Sequence, residues 1–207
     1  MFAKLEQSER KEKLYFPIHK KNSNLETKDL VVVAIMLCLA IVFDLFTSYL
    51  LPTLPLGGSI SLKYIPLIFV ALLYRPSLSL LCNLAFSLLC ILYTKSAFIV
   101  NAWSYILDYF IPINCIILLA FTKKITNIKS FSSIFYIIFV PSLIMWISQT
   151  LGGVLVWNVL FPTAMWPGLN TVAYSATYNF INVFIMSFPV LLLLFQPINL
   201  VISKIAN

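Results

Sequence analysis

Hydrophobic positions in this chain come in long, nearly unbroken runs rather than in the alternation of strands. The runs predict helices over Leu30–Leu51, Ser61–Tyr74, Pro76–Tyr93, Ala97–Phe121, Ser132–Trp157 and Thr171–Phe195. A bilayer-spanning helix needs about 20 apolar residues, and five of the six runs meet that length closely. The second is short, and its start is blurred by Pro52, Pro55, Gly57 and Gly58, which mark a loop. Lipid offers the backbone no hydrogen-bond partner, so a spanning segment is a helix or part of a closed barrel. Runs without strict alternation exclude the barrel. The expected fold is therefore all-α: a polytopic membrane protein built as a six-transmembrane-helix bundle over residues 30–207, preceded by a polar tail over 1–29.

Composition sharpens this picture. The chain is 61% hydrophobic and 10% charged, with a mean hydropathy of +0.96. From Ser130 to Ser203 a run of 74 residues has no Asp, Glu, Lys, Arg or His. A soluble domain of this length lacks the polar surface to cover so much apolar material. The net charge of +7 raises nucleic acid as a partner, but the positions of the charges exclude that reading. Seven of the fourteen Lys/Arg lie in the tail, interleaved with five acids, and all the rest but Lys63 fall between or after the apolar runs. With the tail in the cytoplasm, Arg75, Lys123, Lys124, Lys129 and Lys204 join it there, leaving Lys63 and Lys95 outside. That is the asymmetry of the positive-inside rule, and it places both termini in the cytoplasm of a multi-pass cell-membrane protein. Trp157 and Trp166 then fall at the outer end, where aromatic anchors are common.

The candidate chemistry is sparse. Cys38, Cys82, Cys90 and Cys115 sit singly in apolar runs, and the only His is His19 in the tail, so neither a metal site nor a disulfide framework is expected. No phosphate-binding loop, HExxH or GxSxG sequence is present, which points away from an enzyme and from self-powered transport. Beyond the tail only Asp44 and Asp108 are acidic. A carboxylate in hydrocarbon costs about 3 kcal/mol or more and normally faces a cavity or a partner. Asp44 lies near the outer end of the first run. Asp108 is deeper in the fourth, in a stripe with Asn101 and Ser104, and Lys63 is the nearest basic candidate at its depth. A carboxylate lacking an internal cation suits a ligand that brings the positive charge; a polar contact between helices accounts for the same residues. In the fifth run Gln149, Gly153 and Trp157 share a face, a notch beside an indole suited to a flat, cationic ligand. Close helix approach at Gly152-Gly153, with Trp157 as an anchor, is the plainer reading. The sixth run carries Ser175, Asn179 and Asn182 in one stripe beside Tyr174 and Tyr178. Ala34 and Cys38 form a small-xxx-small pair near the inner end of the first.

Taken in order, Gly57-Gly58-Ser59-Ile60-Ser61-Leu62, Ile65-Pro66-Leu67, Leu107-Asp108-Tyr109, Gly153 through Trp157, Tyr174-Ser175 and Tyr178-Asn179 resemble the thiamine-specific substrate-binding (S) component of energy-coupling factor (ECF) transporters. The resemblance implies a six-helix vitamin-capturing protein with an outward-facing pocket. It implies as partners a membrane coupling (T) subunit and two ABC-type ATPases. By position Asp108 would engage the aminopyrimidine, with Tyr109 beside it, and Trp157 would stack on a ring. Gln149, Tyr174 and Asn179 would orient the ligand, and Ala34 and Cys38 would dock on the coupling subunit. Gln149 stands where the family commonly has His, and Asp108 where Glu is frequent. The same architecture serving another vitamin or precursor (hydroxymethylpyrimidine or riboflavin), a stand-alone small-solute carrier, and an assembly subunit are the alternatives.

Overall fold

The computed structural model describes residues 27–51, 54, 58–94, 98–122, 131–160 and 170–194. Among them are five helices long and apolar enough to cross a membrane: α1 (Thr27–Leu50), α3 (Pro76–Tyr93), α4 (Ala102–Phe121), α5 (Phe135–Leu160) and α6 (Thr171–Leu194). Between α1 and α3 lies the short α2 (Tyr64–Leu73). The fold is the helical membrane bundle read from the sequence, and no strand occurs among the described residues beyond an isolated bridge residue at Ser59.

Surface and interior are arranged for lipid. Large side chains such as Leu92, Leu193, Val159 and Leu50 are exposed on the outside, while Asp44, Thr47, Ser79, Asn83, Ser87, Ser148, Ser175 and Asn179 are buried. In water this would be a large association-prone surface; against lipid it costs nothing, since lipid tails are as apolar as Leu.

At ten residues, α2 is about 15 Å long, half of a ~30 Å hydrocarbon core. Its brevity is compatible with its position, because eight of the ten residues are buried. It is enclosed by α1, α3 and the C-terminal part of α4. Pro76 opens α3 at a position where its missing N–H is no loss, allowing the sharp turn at Arg75. A second seam joins α5 to α6 through stacked and edge-on rings: Phe135, Phe139, Trp146, Phe180, Phe184 and Phe188. Trp146 Nε1 also donates to the Ala176 carbonyl at 2.9 Å.

Two local features depart from the sequence expectation. Helix α4 begins at Ala102, not Ala97, because Asn101 caps it: Asn101 Oδ1 accepts from the Ser104 N–H at 2.8 Å, and Ser104 Oγ accepts from the Asn101 N–H at 3.2 Å. This reciprocal capping box satisfies two orphan donors. Asn101 and Ser104 are thus committed to the helix start and do not extend a ligand-facing stripe to Asp108. The second feature is a set of π turns, Ile106–Phe110, Gly153–Trp157 and Ile181–Ser187, within otherwise α-helical segments. The i→i+5 register is rare and often marks functional positions. In the first, Pro112 brings no N–H to the ladder, and the Leu107 carbonyl takes the Ser148 hydroxyl of α5 instead, at 2.6 Å.

Candidate functional site

Asp108 lies in the π turn of α4 and Trp157 in that of α5, and the two meet: Trp157 Nε1 donates to Asp108 Oδ2 at 2.6 Å. The approach depends on Gly152, where a Cβ would overlap Asp108 Oδ1 and lie 3.2 Å from Asp108 Cγ. Among the described residues no Lys, Arg or His forms an ion pair with this carboxylate. An acceptor-only group in such a place binds what donates protons to it or carries positive charge.

Helix α6 closes on α5 just beside this pair. A Cβ on Gly153 would overlap the Ser175 hydroxyl. Ser175 Oγ donates to the Thr150 carbonyl at 2.9 Å, and Asn179 Nδ2 donates to the Gln149 carbonyl at 3.2 Å and to the Ser175 carbonyl at 3.0 Å. The Asn179 amide thus joins α6 to α5 through Gln149 and otherwise bonds within α6. Close approach at the glycines and a polar site are both present, rather than one instead of the other. Several acceptor atoms at this end remain buried without a hydrogen-bond partner: Gln149 Oε1, Thr150 Oγ1, Asn158 Oδ1 and Asn182 Oδ1. Leaving such groups unmatched costs about 1–3 kcal/mol each.

The segment that follows the first loop lies against the same end of α6. Gly58 N–H donates to Tyr178 Oη at 3.0 Å, and a Cβ on Gly58 would sit 3.1 Å from Asn182 Oδ1. Ser61 N–H donates to Ser187 Oγ at 3.3 Å, and Ser187 Oγ donates to the Ser59 carbonyl at 3.4 Å. Tyr174 lies beside Tyr178 with ring centroids 6.1 Å apart.

Lys63 does not pair with Asp108. Its Nζ is 2.9 Å from Asp44 Oδ1, both side chains are nearly buried, and Tyr93 Oη donates to Asp44 Oδ2 at 2.9 Å. The ammonium also lies 5.9 Å from the ring centroid of Tyr109. This α1–α2–α3–α4 cluster escaped the sequence reading of the site; a Lys and an Asp in separate apolar runs were its only signal. Trp157 is likewise an internal hydrogen-bond donor rather than only an interface anchor, while Tyr49, Trp103, Phe121 and Tyr136 are aromatics exposed near helix ends. Trp166, Lys95, Lys123, Lys124, Lys129, Lys204, His19 and the tail over residues 1–26 lie outside the described residues. Ala34 and Cys38 sit on the exposed side of α1 with Val31, Ile35 and Val42. Among the described residues no three His, Cys, Asp or Glu converge.

A family model described as thiamine transporter protein matches residues 30–204, nearly all of the chain beyond its tail. The chain belongs to the thiamine transporter family. It is thus a membrane transport protein rather than an enzyme. A solved structure of ThiT from Listeria monocytogenes shares the fold with a TM-score of 0.66, at 17% identity, covering 85% of this chain and 93% of that one. No curated protein matches. The first-loop, α4, α5 and α6 motifs quoted above all fall inside the matched span, so the family assignment and the bundle agree over the same residues.

Proposed function

We propose that this member of the thiamine transporter family captures thiamine in the cleft between α4, α5 and α6, and passes it on as the substrate-binding component of an ECF importer. The observation that carries the reading is the Asp108–Trp157 contact, a carboxylate held at an indole edge without a cation of its own. Thiamine is flat, aromatic and permanently cationic. An indole face attracts such a ring by roughly 0.5–2 kcal/mol, and a carboxylate accepts a ring amino donor or balances the charge. With Trp157 on one carboxylate oxygen, Asp108 keeps the other for the aminopyrimidine, and the Trp157 bond fixes its orientation. This helps offset the missing methylene relative to Glu. The unspent acceptors of Gln149 and Asn182 suit a ligand rich in N–H and O–H donors. Tyr109, Tyr174 and Asn179 complete the lining.

The exposed, smooth side of α1 around Ala34 and Cys38 supports docking on a membrane coupling subunit, with two ABC-type ATPases supplying energy. In this reading both termini are cytoplasmic and the cleft opens outward. Purified protein in lipid nanodiscs should bind thiamine tightly by calorimetry, and an Asp108→Ala, Trp157→Ala double variant should lose that binding. Equal binding by the two proteins would overturn the proposal.

A further inference from the structure

The Lys63–Asp44 pair is the largest electrostatic feature that the site reading leaves unused. Two helices can be joined without it: replacing a buried ion pair by apolar residues of similar volume is often neutral or stabilising, because desolvating two charges cancels their attraction. Its surroundings suggest another use. Lys63 Nζ faces two aromatic rings, at 5.8 Å from the Tyr64 centroid and 5.9 Å from that of Tyr109. Tyr109 is stacked on Tyr105 with centroids 6.4 Å apart at 15°, and Tyr105 is anchored by donating to the Ser87 carbonyl at 2.8 Å. Tyr109 follows Asp108 directly, and both belong to the Ile106–Phe110 π turn. Asp44 in turn holds the ammonium in place, with Tyr93 on its second oxygen.

We propose that Lys63 is a positioning residue of the ligand site: held by Asp44 and Tyr93, its ammonium fixes the Tyr109 ring by a cation–π contact and thereby sets the π turn that presents Asp108. Lys63 touches no ligand in this arrangement. The inference rests on the thiamine site proposed above and goes beyond it, because it assigns a binding role to residues on α1, α2 and α3 that lie outside the cleft.

The test separates holding helices together from positioning the ring. Lys63→Met and Asp44→Asn each strand a charge and should lower thermal stability. The double variant Lys63→Met, Asp44→Asn removes both charges and should recover stability, yet bind thiamine about 2- to 30-fold more weakly, the range set by the lost cation–π contact. A double variant with both stability and affinity of the wild type would overturn the proposal. Should the double variant fail to fold, the reversed pair Asp44→Lys, Lys63→Asp keeps the charges matched but moves the cation to α1. Full affinity in that protein would overturn the proposal equally. If the wild type binds no thiamine, the site reading itself falls. The positioning claim is then read from the near-ultraviolet circular dichroism of Trp157, taken as the difference from Trp157→Phe. An altered Trp157 signal in the double variant supports it, and an unchanged one refutes it.

Discussion

Gly152→Ala isolates the carboxylate from the rest of the bundle. The added methyl would overlap Asp108 Oδ1, lie 3.2 Å from Asp108 Cγ and 3.3 Å from Leu107 Cβ. These neighbours all belong to one turn of α4, so the strain falls on Asp108, and the carboxyl must swing away from Trp157. Overpacking costs about 1–3 kcal/mol. Replacing Gly by Ala inside a helix returns about 1 kcal/mol, so net stability should change by no more than about 2 kcal/mol. Ligand binding loses more selectively. A hydrogen bond to a charged group contributes about 1.5–3 kcal/mol, so losing the productive carboxylate orientation should weaken thiamine binding roughly 10- to 150-fold. Calorimetry on purified protein measures the affinity, and a thermal unfolding scan of the same sample measures the fold. Unchanged affinity in a well-folded Gly152→Ala protein would refute the reasoning that Asp108, packed on Gly152, holds the ligand.

Further expectations follow from single contacts. Trp157→Phe keeps a ring but removes the donor 2.6 Å from Asp108 Oδ2; thiamine affinity measured by equilibrium dialysis should fall about tenfold, consistent with one charge-assisted bond. Asn179→Ala deletes the interhelical bond to Gln149 along with a bond to Ser175 within α6; loss of the interhelical one should lower stability by about 0.6–1.7 kcal/mol in reversible detergent unfolding. Tyr178→Phe leaves the Gly58 N–H without its acceptor. Thiamine dissociation, followed by stopped-flow quenching, should then be about 2- to 12-fold faster, from one hydrogen bond of ~0.5–1.5 kcal/mol. Cys38→Trp places bulk on the exposed side of α1; it should leave thiamine binding intact while abolishing uptake by vesicles that contain the coupling subunit and ATPases.

The bundle was legible because a span is written in length and apolarity alone. The short second run already signalled an unusual helix, and its burial inside α1, α3 and α4 explains how ten residues suffice. The site was legible in part. Asp108 does meet Trp157, and Ser175 and Asn179 do meet the neighbouring turn of α5; each is a polar or aromatic group in an otherwise apolar run. What the sequence hid has physical causes. A capping box and a ligand-facing stripe use the same residue types at the same spacing, so Asn101 and Ser104 were indistinguishable from pocket residues until the helix start was known. A π turn shifts the register by a residue, so face assignments made at 3.6 residues per turn drift across Ile106–Phe110 and Gly153–Trp157. Ion-pair choice is a tertiary matter: Lys63 had two acids within the apolar region to choose from, and only the packing of α2 against α1 selects Asp44.

Thiamine capture is tested most directly by native mass spectrometry of the chain purified gently from membranes. The expected spectrum has the protein peak shifted by one thiamine, and that adduct disappears in Asp108→Asn prepared in parallel. A chain carrying a different vitamin, or an adduct equally abundant in Asp108→Asn, would contradict the account.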